Sequence, residues 1–182
     1  MELKTERLRL RELTFVDLEV IHKLHSLPET DQYNTLGIPD TIETTKQLVL
    51  EWMTTMDELP RKKYVFVIES NEIAFVGLIG LTIGKPSYRN AEVWFKILPK
   101  YWNLGYATEV VKRILQFSFI ELRLHRIEAG CAVENIASRR VLEKVGMVKE
   151  GHCRKILPIR GEWVDNFEFA ILETDFFDEK PA

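Results

Sequence analysis

The spacing of hydrophobic residues predicts a mixed α/β fold that begins with a strand and two helices. Residues 3–13 alternate between leucine and charged positions, which is the pattern of a half-buried strand. Thr14, with Asp17 three residues later, is a loose capping box and predicts the start of a helix. A second amphipathic helix is predicted over residues 42–56, after an irregular segment from 28 to 39.

Six more strands and two more helices are predicted after residue 60. The strands are β-branched and aromatic runs, and the helices carry apolar faces at helical spacing. The turn-like residues 69–72 join the first two of these strands. Together with residues 3–13, the pattern predicts a seven-stranded sheet in an α/β (α+β) fold with helices on both faces. The predicted strands are 64–68, 75–81, 91–98, 126–133, 147 onward and 163–172, and the predicted helices are 106–122 and 136–145.

Length and composition indicate one soluble domain over residues 1–182, ending in an acidic tail at 173–182. The chain is 46% hydrophobic and 29% charged, with no linker or repeat, which excludes disorder and repeat architectures. Its net charge of −3 argues against a nucleic-acid partner. No run is long and apolar enough for a membrane helix, and two cysteines fit a reducing compartment. We therefore expect a cytoplasmic protein without a nucleic-acid or membrane partner.

The loop between the strand at 91–98 and the following helix is a candidate anion site. The first N–H groups of a helix have no internal partner and lie at the positive end of its dipole. Gly105 allows close approach to the backbone, Ala107 is small, and Thr108 offers a hydroxyl. A plain strand-to-helix turn, in which Gly105 only relieves crowding, explains the same residues.

The helix predicted at 136–145 begins and ends with ordinary helix signals. Asn135 is a good N-cap and Gly146 a good terminator, while Ser138 lies in the first turn. On their own, these residues need no function beyond local structure.

In combination, these segments resemble the GNAT N-acetyltransferase superfamily, and within it the ribosomal-protein-alanine (RimJ/RimL) branch. The resemblance covers nearly the whole chain, and the paired motifs are far more specific than either alone. The matching segments are Thr5 to Arg11, Glu92 to Phe95, Trp102 to Glu109, Asn135 to Ser138, Glu143 to Met147 and Arg160 to Asp165.

The resemblance implies a mostly antiparallel sheet with a splay between its fourth and fifth strands, where acetyl-coenzyme A binds as co-substrate without a metal. The pantetheine arm would pair with the backbone of Ile97 and Leu98, and Asn135 would bond its amide. Arg140 would contact a phosphate, with Arg139 a nearly equal alternative. The pyrophosphate would bind the backbone of Asn103, Leu104, Gly105, Tyr106, Ala107 and Thr108. Trp102 departs from the family pattern, since many members carry Arg or Gln there.

Two residues are candidates for catalysis. The reaction needs a neutral amine, a stabilised oxyanion and help for the departing thiolate. Glu92 is the candidate general base, because several superfamily members carry a carboxylate on this strand; an edge-strand carboxylate paired with a neighbour such as Arg89 is the alternative. Ser138 would donate a hydrogen bond to the leaving sulfur, a role that tyrosine often fills elsewhere, and no tyrosine follows Asn135 in this chain.

The predicted function is transfer of an acetyl group to a primary amine. The resemblance favours the N-terminal α-amine of a protein or peptide, and it is compatible with a homodimer. Two alternatives stay open at this point: acetylation of a small amine (a polyamine, amino acid or aminoglycoside) and a non-catalytic sensor that only binds the acyl-coenzyme A.

Overall fold

One eight-stranded sheet runs through the computed structural model, which describes residues 1–70, 72 and 75–178. The strands lie in the order β1-β2-β3-β4-β5-β6-β8-β7. All neighbours are antiparallel except β5 and β6. The strands are β1 (Glu2–Lys4), β2 (Leu8–Glu12), β3 (Lys63–Ser70), β4 (Gly77–Ile83), β5 (Asn90–Ile97), β6 (Arg126–Ala132), β7 (Val148–Ile159) and β8 (Glu162–Leu172).

Among the described residues, five α-helices lie in the connections between strands and a sixth follows β8. Short 3-10 turns precede α1 and flank β5, and a π-helical turn over Phe117–Glu121 extends α4. The helices are α1 (Leu18–His25), α2 (Pro28–Asp31), α3 (Ile42–Thr54), α4 (Tyr106–Gln116), α5 (Ile136–Lys144) and α6 (Glu173–Asp178).

The mixed, mostly antiparallel sheet is as predicted, but it has eight strands rather than seven. The difference lies at residues 3–13, where the predicted single strand is the β1–β2 hairpin. Thr5 forms the turn, since its backbone N–H donates to the Leu8 carbonyl and its hydroxyl oxygen accepts from the Leu8 N–H. Leucine and charged residues alternate through both strands, so the pattern alone did not reveal the turn that separates β1 from β2. The predicted fourth and fifth strands are therefore β5 and β6.

The predicted splay separates β5 from β6. Only three residue pairs join the two strands, from Asn90–Arg126 to Glu92–Glu128. Beyond that point β5 continues to Ile97 beside β4, and β6 continues to Ala132 beside β8. The sheet is thus open along the second half of β5.

Two hydrophobic cores cover opposite faces of the sheet. On one face, α4 and α5 pack against β-strand residues such as Phe66 and Val93. On the other face, α1 and α3 pack against residues such as Val67 and Leu98. Because side chains alternate along a strand, consecutive residues of β5 belong to different faces.

The structure adds detail at three segments. The irregular region 28–39 contains the short helix α2, and the predicted acidic tail begins as helix α6, whose Phe176 packs against the core. Asn71 of the predicted turn at 69–72, and residues 179–182 of that tail, lie outside the described residues. In the described part of the chain, no helix is long and apolar enough to cross a membrane.

Gly80 of β4 is required by its neighbour Trp94 of β5. The two residues are directly paired across the strands, and a Cβ at position 80 would lie 2.3 Å from an atom of the indole ring. We expect Gly80→Ala to lower the free energy of unfolding by about 1–3 kcal/mol, because the overpacked indole must move. Chemical denaturation of Gly80→Ala, Trp94→Ala and the double variant measures this. The glycine substitution should cost nothing in the Trp94→Ala background; an equal cost there would contradict the steric explanation.

Candidate active site

A cleft of about 1180 Å³ follows the opening between β5 and β6 through the sheet. The N-termini of α4 and α5 line it from one face, and side chains from α1, α2 and α3 line it from the other. The cleft is therefore accessible to two reactants from opposite sides of the sheet.

The free edge of β5 offers backbone groups to this cleft. Leu98 donates its N–H to Val76 beside β4 (3.0 Å), and the Asn90 carbonyl accepts from Gly84 there (2.9 Å). Because backbone groups alternate in direction along a strand, the even positions of β5 face β4. The backbone N–H and C=O groups of the odd positions Val93, Phe95 and Ile97 therefore face the opening.

This geometry corrects the prediction for Leu98. Its N–H is bonded to Val76, its carbonyl accepts from Tyr101, and its side chain is buried in the core on the α1–α3 face. Phe95 takes its place as the neighbour of Ile97 along the open edge. The Ile97 carbonyl accepts a hydrogen bond from the indole N–H of Trp102 (2.8 Å). Trp102, which departs from the family pattern, therefore lies at the end of this open edge.

The loop before α4 has the shape expected of an anion site. Asn103 and Gly105 both adopt left-handed backbone conformations (φ 60° and 80°) on either side of Leu104. Gly105 is the N-cap of α4, and no side chain caps this end among the described residues. The N–H groups at the start of α4 are thus available, at the positive end of the helix dipole.

The β1–β2 turn fixes this loop in place. Glu109, in the first turn of α4, accepts from the Thr5 hydroxyl (2.6 Å) and from both the backbone N–H and the guanidinium of Arg7 (3.0 and 2.7 Å). Arg7 also donates to the carbonyl of Leu104 (3.0 Å) and lies over the Tyr106 ring. A residue close in sequence to the N-terminus thereby sets the position of a loop about a hundred residues away.

The start of α5 brings three predicted residues to the cleft. Asn135 caps the helix, since its Oδ1 accepts from the Ser138 N–H (3.1 Å), and its side-chain NH₂ is left for a ligand. Ser138, Asn135 and Arg140 all line the cleft. Arg139 does not; it pairs with Glu143 (3.6 Å), which favours Arg140 of the two arginines as a phosphate contact.

Glu92 lies where β5 and β6 separate, beside Glu128 of β6. Partial burial in the cleft raises the pKa of the Glu92 carboxyl, and repulsion by Glu128 raises it further. Arg89 does not pair with Glu92, because it bonds the Arg123 carbonyl and the Glu173 carboxylate. Arg89 is therefore not the pairing neighbour of Glu92.

Two basic groups lie on the α1–α3 side of the cleft. Burial lowers the pKa of Lys96 on β5 to about 8, although Asp31 partly offsets the shift. Burial lowers the pKa of His25 to about 3, and the charge of Lys96 adds to the effect. His25 also packs its ring against Trp52. Near neutral pH this wall thus carries a neutral imidazole beside a lysine that keeps most of its charge.

The structure brings together both predicted catalytic residues and eight of the ten predicted cofactor residues. These are Glu92 and Ser138, with Ile97, Asn103, Gly105, Tyr106, Ala107, Thr108, Asn135 and Arg140, all of which line the cleft. The two exceptions are Leu98, described above, and Leu104. The Leu104 side chain is exposed and its carbonyl is held by Arg7, so it supports the loop from outside.

Sequence reasoning missed the partners that come from distant elements. Arg7 and Glu109 each lie in a segment that matches the family, yet nothing in the sequence indicated that the two side chains contact each other. Lys96 lies in an apolar strand, and an isolated charge between apolar residues was the available signal. Among the described residues, no group of three or more His, Cys, Asp or Glu side chains is arranged to hold a metal ion.

Comparison with known proteins gives one consistent result. A family model described as an acetyltransferase (GNAT) domain matches residues 7–148. An uncharacterized N-acetyltransferase, YnaD of Bacillus subtilis, is 34% identical over 178 residues, which are 97% of this chain and 99% of YnaD.

Solved structures agree in fold over almost the whole chain. The GNAT-family acetyltransferase from Bacillus anthracis has a TM-score of 0.82 and 35% identity, covering 96% of this chain and 99% of that one. The spermidine N-acetyltransferase from Vibrio cholerae, solved with CoA and spermine, has a TM-score of 0.84 and 27% identity, covering 94% and 99%.

Arg7 should affect coenzyme A binding although it lies outside the cleft lining. We expect Arg7→Ala to raise the Kd for coenzyme A about tenfold, because the loop loses its tether to Arg7 and Glu109 loses its ion pair beside the anion site. Isothermal titration with coenzyme A measures this. Arg9→Ala is the matched control, since Arg9 pairs with Glu69 and Glu2 instead. Equal affinity in Arg7→Ala and the unaltered protein would contradict the tethering role.

Proposed function

Because this chain belongs to the GNAT acetyltransferase family, we propose that it acetylates the N-terminal α-amine of a protein or peptide. As a member of that family it is an acetyl-coenzyme A-dependent N-acetyltransferase, and acetyl-coenzyme A is its co-substrate. The ribosomal-protein type of acceptor, which the sequence resemblance favours, is part of this proposal.

The observation that carries the proposal is Glu92 at the point of the splay. A carboxylate with a raised pKa is still a weak base, and it suits an amine that loses its proton easily. A free α-amine has a pKa of about 8, against about 10.4 for a lysine side chain. The Glu92 carboxylate, which lines the cleft, also attracts an amine that arrives as its cation.

The remaining roles follow from the position of each residue. The N–H groups of 105–108 and Arg140 bind phosphate charge, while the edge of β5 and Asn135 orient the pantetheine arm. Coenzyme A supplies the activated acetyl group as a thioester. Glu92 receives the amine proton, directly or through a water molecule, and Ser138 donates a hydrogen bond at the sulfur as the thiolate leaves.

Lys96 argues against a long polycation as the acceptor. Its pKa of about 8 leaves most of the lysine protonated at neutral pH, on the side of the cleft opposite α4 and α5. A polyamine would bring several positive charges to this wall. A short peptide whose α-amine is its one positive group brings a single positive charge, which Glu92 receives.

A polyamine or other small amine is the second candidate. It is favoured by the match over nearly full length to a spermidine N-acetyltransferase. Acidic and aromatic side chains at the mouth, including Glu29, Tyr33 and Trp94, offer contacts to such a cation.

A panel of acceptors separates the candidates. We expect thiol release from acetyl-coenzyme A with short peptides that begin with free Ala, Ser or Met. Matched peptides with a blocked N-terminus and one lysine should give almost none. Turnover confined to spermidine, amino acids or aminoglycosides would overturn the α-amine proposal in favour of a small acceptor. Coenzyme A binding without turnover on any amine would favour a sensor.

Glu92 should set the acidic limb of the pH–rate profile. A base must be deprotonated, so kcat/KM falls as the pH drops through the Glu92 pKa, which lies above its ordinary value of 4.5. We expect Glu92→Gln to lower kcat about 100-fold or more and to abolish this limb.

The matched control is Glu128→Gln. It removes the repulsion that raises the Glu92 pKa, and so it should move the same limb to lower pH while activity above it is retained. A profile unchanged by Glu92→Gln would place the base elsewhere, for example at Glu162 or Asp165.

The biological setting is proposed on the same basis. We propose that residues 1–182 act as a single acetyltransferase domain in the cytoplasm. A homodimer, which the family resemblance allows, stays a prediction that sedimentation of the purified protein can test.

A further inference from the structure

The side chain of Asn166 lies in the wall of the cleft with its amide unused. Asn166 is on β8, and only 8% of its surface is exposed. Its Oδ1 is buried without a hydrogen-bond partner, and its NH₂ makes no hydrogen bond to any described residue. A buried amide in this state costs free energy, so a ligand that satisfies it would recover a large part of that cost.

Gly130 makes the room for this amide. The side chain of Asn166 lies over the Gly130 backbone, where a Cβ would be 3.1 Å from Nδ2 and 3.3 Å from Oδ1. Both residues line the cleft. The amide thus leans across β6 towards the opening, in space that any other residue at position 130 would fill.

Asn166 lies on the acceptor side of the sheet. Residues paired directly across strands share a face, so Asn166 lies on the face of its partner Ala132, which Gly130 and Glu128 share by alternation. Glu92 is on that same face because it pairs with Glu128. The helices α4 and α5, which carry the cofactor-binding residues, cover the opposite face.

We propose that Asn166 binds the first peptide group of the acceptor, next to the α-amine that is acetylated. The inference rests on the proposed function and deepens it. An asparagine amide has a donor and an acceptor side by side, which is the complement of a peptide N–H and C=O. An acceptor without an amide beside its amine leaves Asn166 unsatisfied, so the site discriminates against it.

The test compares Asn166→Leu with the unaltered enzyme on two matched acceptors. One is alanine amide, which has the neighbouring amide; the other is alaninol, which has the same carbon skeleton and amine without it. We expect Asn166→Leu to lower kcat/KM for alanine amide at least tenfold, mainly through KM, and to change that for alaninol less than threefold. The Kd for coenzyme A should not change.

Thermal unfolding separates binding from a structural role. Because Asn166 makes no internal side-chain hydrogen bond, Asn166→Leu should keep or raise the Tm while specificity falls. Gly130→Ala is the second variant: it retains Asn166 but displaces its amide by a few tenths of an ångström, and should give a smaller loss with the same acceptor preference.

Failure of this proposal is distinct from failure of the proposed function. If the enzyme acetylates peptides and Asn166→Leu lowers kcat/KM equally for both acceptors, or for neither, only the role of Asn166 is overturned. If the unaltered enzyme acetylates polyamines and no α-amine beside an amide, both fall together.

Discussion

The early separation of β5 and β6 is the constraint on which the rest of this structure depends. The inner strands β3 and β4 are paired with a neighbour along both edges, but pairing between β5 and β6 ends after three residue pairs. The unpaired edge of β5 would be a liability in an ordinary sheet, because free N–H and C=O groups invite pairing with other chains. In this molecule the edge faces a cleft that an extended pantetheine arm can fill, which turns an incomplete sheet into a binding site.

The opening also separates the two substrates by sheet face. Helices α4 and α5 present anion-binding groups on one face, while Glu92, Glu128, Lys96 and Asn166 lie on the other. On the proposed assignment, the thioester and the amine would meet within the sheet itself, and neither would have to displace the other to enter.

Local features of this protein could be predicted from its sequence, and non-local ones could not. The helix start at Gly105 and the cap at Asn135 depend on neighbouring residues, so the motif at each place was sufficient. The Arg7–Glu109 pair and the position of Asn166 over Gly130 depend on which strands become neighbours. Leu98 shows the same limit, because which way its N–H points is set by pairing with β4 and not by its identity.

Unsatisfied buried groups show where stability has been given up for chemistry. His25 Nε2 and Asn166 Oδ1 are both buried without partners, and both residues line the cleft. Lys96 beside them keeps a charge in a place where burial opposes it. Each would be costly in a core designed only for stability, and apolar replacements of similar shape would remove that cost. Since His25, Asn166 and Lys96 all line the cleft, we infer that a bound acceptor would supply partners that the fold does not provide to them.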